Sequence, residues 1–174
     1  MKLTYETISF NDIEILREPC NALMDFQKSK ATITPERFDV MNFDTRLLPS
    51  IEKAVHNYIV VVKDEEKVVG YVYTNVSQKE VYVSDFATFF DLSSVKADLV
   101  GCLSQFYIDE GYRKYGIGSK LFRMSMEWLD QFKEVEDHFI FVSNGNDHAL
   151  EFYQQKGFKV SHDILDGFIT VLRK

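Results

Sequence analysis

Apolar positions along the 174-residue chain follow two periods. Leu3 to Ser9 alternates as a strand does. Ile13, Leu16, Cys20, Leu23 and Met24 then recur at helical spacing, with Asn11 and Asp12 ahead of them as cap residues. Residues 28 to 35 read as a loop. Thr34-Pro35-Glu36 reads as a second helix start with proline at its first position, and Pro49 to Glu52 as a further helical turn. Asn57 to Lys63 and Val68 to Val76 flank the polar turn 64–67, which predicts an antiparallel hairpin. Glu80 to Phe90, rich in Val, Tyr and Phe, predicts an extra strand or a dimer-forming arm.

The second half alternates more regularly. Leu99 to Ile108 is a strand that ends at Asp109-Glu110-Gly111. From about Gly116 to Phe132 the positions Ile117, Leu121, Met124 and Trp128 mark one buried helical face. His138 to Ser143 is a strand, and Asn146 to Lys156 a helix stopped by Gly157. Phe158 to Val160 and Gly167 to Leu172 are the last strands. The expected fold class is mixed α/β, a single domain over residues 1–174 built on one central sheet.

Composition narrows the function classes. The chain is 45% hydrophobic and 27% charged, as an ordered globular protein is. A net charge of -7 weighs against nucleic acid as a partner and would suit a cationic one, although mild acidity also serves solubility. Cys20 and Cys102 form no Cys-x-x-Cys motif or disulfide framework and read as small core residues. His56, His138 and His162 show no metal-ligand spacing, and His148, at a helix start, reads as a surface residue rather than a base. No apolar run reaches the roughly 20 residues of a membrane span and no signal region opens the chain, so the expectation is a cytoplasmic protein with no membrane partner.

Candidate chemistry concentrates where the strand ending at Ile108 meets the helix beginning near Gly116. A helix start offers unpaired N–H groups and partial positive charge, and glycines let a phosphate approach the backbone. Gly111 and Gly116 have the P-loop spacing, but Ile117 and Gly118 stand where that motif needs Lys and Ser/Thr. A dinucleotide fingerprint needs Gly or Ala where Leu121 stands. The pattern Gln/Arg-x-x-Gly-x-Gly/Ala is matched in full by Arg113 to Gly118. A glycine-assisted helix start with no ligand would look the same.

A second segment, Asn146-Asp147-His148-Ala149-Leu150-Glu151-Phe152-Tyr153-Gln154-Gln155-Lys156-Gly157-Phe158, begins 28 residues after Gly118. Together with Leu103 to Ile108 and Arg113 to Leu121 it resembles the GCN5-related N-acetyltransferase (GNAT) superfamily, from about residue 99 to 160. The resemblance implies a mostly antiparallel twisted sheet with a splayed parallel strand pair. It also implies acetyl-CoA as acyl donor, no metal, and transfer to a primary amine of a small molecule or peptide. A homodimer is common in such proteins. In that frame Phe106, Tyr107 and Ile108 pair with the pantetheine arm. The backbone of Lys114, Tyr115, Gly116, Ile117, Gly118 and Ser119, with the Arg113 side chain, takes the pyrophosphate. Asn146 is either a cofactor contact or a helix cap. Tyr153 is either the general acid for the departing thiolate or a core tyrosine. A non-catalytic acyl-CoA-binding module on the same fold is the alternative.

No general base declares itself. Ser104 and Gln105 occupy the splayed strand, neither is a good base, and Asp85, Asp109 and Glu110 are the nearby carboxylates, so water is the default. The acceptor pocket is expected from residues 26–46 and 73–90, where Asp25, Asp39, Asp44 and Asp85 are candidates to hold a cationic amine.

Overall fold

The computed structural model describes residues 1–174. Its elements are β1 (Leu3–Ile8), α1 (Arg17–Lys30), α2 (Leu48–Lys53), β2 (His56–Asp64), β3 (Lys67–Gln78), β4 (Leu99–Ile108), α3 (Ile117–Leu129), β5 (His138–Ser143), α4 (Asp147–Gln155), β6 (Lys159–Ile164) and β7 (Ile169–Arg173). The seven strands form one sheet in the order β1-β2-β3-β4-β5-β7-β6. Every neighbouring pair is antiparallel except β4 and β5. No helix is long and apolar enough to cross a membrane.

Both faces of the sheet are covered, and the strand period of two sorts the side chains between them. Ile59, Val61, Tyr71 and Tyr73 pack with Leu16, Cys20 and Leu23 on the α1 side. Val60, Val62, Val72 and Leu103 pack with Ile117, Leu121, Phe122 and Tyr153 on the α3 and α4 side. This explains the unbroken apolar run Ile59 to Val62, which no one-sided sheet would tolerate. Leu121 is fully buried, and burial of such a side chain contributes about 1.5–3 kcal/mol.

Three expectations change. The chain before α1 is a 3-10 segment, Phe10–Leu16, with Ser9 at its N-cap position and no side-chain cap, so Asn11 and Asp12 lie inside the turn. The helix Arg17–Lys30 then runs into the segment expected as a loop. Glu80 to Phe90 adds no strand to the sheet. It forms a 3-10 turn, Lys79–Tyr82, and one isolated bridge, Val83 to Thr88. Its aromatic rings turn inward: Tyr82 and Phe89 meet Phe141, and Phe90 stacks on Phe139 with centroids 4.2 Å apart. A dimer-forming arm would present those rings outward. The β-formers here serve as a roof on the chain's own core rather than as a ladder.

Candidate functional site: a forked strand pair and two cavities

Strands β4 and β5 pair only at Gly101–His138 and Cys102–Phe139, then separate. From Leu103 to Ile108 one edge of β4 bonds to β3 and the other faces no strand. The fork has a local cause. On β3, Tyr73 pairs with Gln105 and Thr74 with Leu103, leaving Ser104 as an extra residue. A bulge of this kind bends a strand and raises its twist, which turns β4 away from β5.

A cleft of about 1120 Å3 fills the fork. Of the residues expected to hold an acyl donor, Phe106, Tyr107, Ile108, Arg113, Gly116, Gly118, Ser119, Asn146 and Tyr153 line it. Lys114, Tyr115 and Ile117 contribute no lining side chain. Lys114 and Tyr115 are exposed, and Ile117 is fully buried in the core. Their backbone is another matter. The N–H groups of Lys114 through Ser119 donate to no acceptor in the protein; the first bond of α3 is Lys120 N–H to Gly116 O. A run of successive free N–H groups at a helix start is a ready anion cradle.

The two glycines have different roles in it. Gly116 stands at φ 73°, in the left-handed region, where a side chain is strained. Gly118 sits against β4: a Cβ there would lie 3.4 Å from Ile108 Cδ1 and 3.8 Å from the Phe106 ring. Arg113 donates from Nε to the carbonyl oxygen of Ile108 at 3.0 Å, and its guanidinium lies 4.5 Å from the centroid of Phe26 on α1. The arginine thus joins three walls of the cleft, a contact invisible in the Arg-x-x-Gly-x-Gly spacing.

Asn146 stands at the N-cap of α4 but makes no side-chain cap bond. Its side chain is therefore not committed to the helix end. The neighbouring Asn144 fixes this loop: it accepts from the N–H groups of Thr32 and Ile33 at 2.7 and 2.8 Å and donates to Ile33 O and Phe168 O. Tyr153, on the inner face of α4, is buried between Phe106 and Phe122. Its hydroxyl has no protein hydrogen-bond partner, yet it is not sealed among the buried orphan atoms. Burial pushes the phenol pKa well above its usual value, so the hydroxyl keeps its proton at neutral pH.

A second cavity of about 250 Å3 lies on the α1 side. Leu23, Gln27, Ser104, Gln105 and Phe141 line both spaces, so the two meet at the β4 bulge. Gln105 is buried there. Its Oε1 accepts from Tyr71 Oη at 2.7 Å and from Cys20 Sγ at 3.5 Å, while its amide nitrogen has no protein partner. None of the four aspartates expected to hold an amine lines either space. Asp39 pairs with Lys28, Asp44 with Arg17, and Asp25 and Asp85 are exposed. Arg46 lines the smaller cavity without any motif in the sequence that marks it. It sits three residues after Phe43 and one before Leu47, both fully buried, so helical spacing alone places it on an apolar face.

Comparison with known proteins follows the same lines. The Acetyltransferase (GNAT) family model matches residues 22–158. No curated protein matches the chain by sequence. Among solved structures, the PaiA N-acetyltransferase of Thermoplasma acidophilum in complex with coenzyme A superposes with a TM-score of 0.69 at 16% identity, covering 100% of this chain and 99% of that one. Arabidopsis thaliana Naa50, in complex with the bisubstrate analogue CoA-Ac-MVNAL, gives a TM-score of 0.63 at 15% identity, covering 100% and 99%.

Proposed function

The chain belongs to the Acetyltransferase (GNAT) family and uses acetyl-CoA as acyl donor; we propose that it moves the acetyl group to a primary amine by direct attack, with Tyr153 as general acid. The observation that carries this is the buried, protonated and unpartnered Tyr153 hydroxyl in a cleft whose far end is the free N–H run Lys114 to Ser119.

Acetyl-CoA supplies a thioester, whose acyl carbon is the electrophile. Lys114 through Ser119 hold the pyrophosphate through backbone N–H groups, and the guanidinium of Arg113 adds charge beside them. The unpaired edge of β4 from Leu103 to Ile108 orients the pantetheine arm, and a free N–H there polarises the acyl oxygen as it gains charge. The amine enters from the smaller cavity at Ser104 and Gln105. No carboxylate lines that cavity, so water removes the ammonium proton before attack. Tyr153 Oη then gives its proton to the sulfur as the oxyanion collapses and the carbon–sulfur bond breaks, and the proton that the attacking nitrogen sheds on becoming an amide returns through water to the phenolate.

The test is incubation with acetyl-CoA and a panel of primary amines, with the N-acetyl amide identified by mass spectrometry. Amide formation is expected. CoA binding with no amide from any amine would favour a non-catalytic acyl-CoA-binding module instead.

A further inference from the structure

Arg46 is the one charge on the walls of the smaller cavity that is half-buried rather than exposed, and no acid in the protein pairs with it. It follows the capping box of Asn42 and Thr45 in the turn Phe43–Leu47. Its Nε is buried with no hydrogen-bond partner, and its guanidinium takes part in no ion pair or side-chain hydrogen bond. Four of the other arginines have polar partners: Arg17 pairs with Glu14 and Asp44, Arg173 with Asp137, Arg123 with Glu127, and Arg113 with Ile108 O; Arg37, whose Nε is likewise buried without a partner, lies over the Phe86 and Phe168 rings and lines neither cavity. The titratable groups beside Arg46 are the thiols of Cys20 and Cys102 and the phenol of Tyr82, all of them neutral. Burial lowers its pKa, as it does for a cation stripped of water without an acid to replace it.

A half-buried cation with a buried, unpartnered Nε loses part of its hydration without a replacement, and proteins pair such groups. Here the partner has to come from outside, because the cavity carries Arg46 and Lys53 and no Asp or Glu. About half of the remaining wall is apolar, with the aromatic rings of Phe38, Tyr82, Phe86 and Phe168, and the polar half is uncharged, with Asn75, Ser77 and Ser143 among it. Its volume of about 250 Å3 lies below the roughly 300–1,000 Å3 of drug-sized sites, which suits a metabolite of amino-acid size.

We propose that the acceptor is a small apolar or aromatic amino acid, and that the Arg46 guanidinium binds its carboxylate. This rests on the transferase reading above and adds the class of acceptor. The geometry is consistent along β4. Cys102, beside Arg46, and Ser104, at the junction with the cleft, are two residues apart, or about 7 Å. A carboxylate held at the first position leaves an amine on a short skeleton at the second. The charge of the pocket is thus opposite to the one that the net charge of -7 suggests.

The experiment compares leucine, methionine and phenylalanine with their carboxamides and with the corresponding decarboxylated amines, following CoA thiol release from acetyl-CoA. In parallel, binding of the N-acetyl amino acids to the CoA-loaded protein is measured by calorimetry. The free acids should be preferred over both neutralised sets by roughly 30-fold or more in kcat/KM. Arg46→Gln should erase that preference and the binding of N-acetyl amino acids, and Arg46→Lys should restore part of it, while both variants bind CoA as wild type does. Preferential turnover of the carboxamides or decarboxylated amines overturns the proposal and leaves the transferase intact. Binding of the N-acetyl acids that depends on Arg46, without turnover of any amine, supports the anion site and overturns the transferase. Absence of any Arg46-dependent binding or preference overturns the proposal.

Discussion

Arg113 Nε donates to the carbonyl oxygen of Ile108 at 3.0 Å, which ties the loop before α3 to the last residue of the forked strand. The guanidinium lies over the ring of Phe26, 4.5 Å from its centroid. Replacing Arg113 by Ala removes a charge and loosens the loop. KM for acetyl-CoA should rise about tenfold or more, ~1.4 kcal/mol or above, with kcat little changed. Steady-state kinetics at saturating amine checks this, and Arg113→Lys should recover only part of the loss because lysine has no planar fork.

Gly118→Ala and Gly116→Ala should separate cofactor binding from stability. At Gly118 the added Cβ meets ordinary van der Waals distances, and alanine is about 1 kcal/mol better than glycine within a helix. The variant should therefore melt at or above the wild-type temperature. Its methyl group would line the cleft beside the free N–H run proposed to hold the pyrophosphate, so CoA affinity should fall severalfold. Gly116→Ala has open space but a φ of 73°, and should cost about 1 kcal/mol of stability. Thermal melting with CoA titration reads both.

Gly145→Ala should be the most damaging single methyl in the chain. A Cβ at Gly145 would stand 1.8 Å from Lys30 O, and the backbone is at φ 80°. The contact joins the end of α1 to the loop that carries Asn144 and Asn146. A loss of about 3 kcal/mol or more is expected, or roughly 6–12 °C in melting temperature for a chain of this size.

His138 sets an acid limit on stability. Burial lowers its pKa below the usual 6.5, outweighing the opposing pull of Asp130. The unfolded chain therefore takes the proton more readily than the folded one. Stability is complete above about pH 6.5 and declines as pH falls through the lower, folded value. Urea midpoints at about pH 7.5 and about pH 5.5 should differ in that direction. His138→Gln should reduce the difference.

Much of this was legible in the chain. Leu99–Ile108 and His138–Ser143 are strands at the residues that the alternation marks, and the helices after them differ from expectation only at their ends. Long β-branched runs and a four-three-four apolar series leave little choice of element. The features that open the fork and shape the smaller cavity were not legible. The bulge at Ser104 carries no glycine or proline, so nothing in the composition announces it. Residues 80–90 have strand propensity, but their rings find more burial over Phe141 and Phe139 than a sheet edge offers. Arg46 looked like one more polar residue beside Asp44 and Thr45. Only its spacing from Phe43 and Leu47 hints that it points inward, and only the fold shows that no acid meets it.

The most direct measurement of the central claim is the rate of amine-dependent CoA release by Tyr153→Phe, set beside its affinity for CoA by calorimetry. The substitution removes one oxygen from a buried ring, so packing and CoA affinity should hold. The account predicts a fall in kcat of about 10²-fold or more with an unchanged Kd. A variant that binds CoA and turns over at the wild-type rate would contradict it.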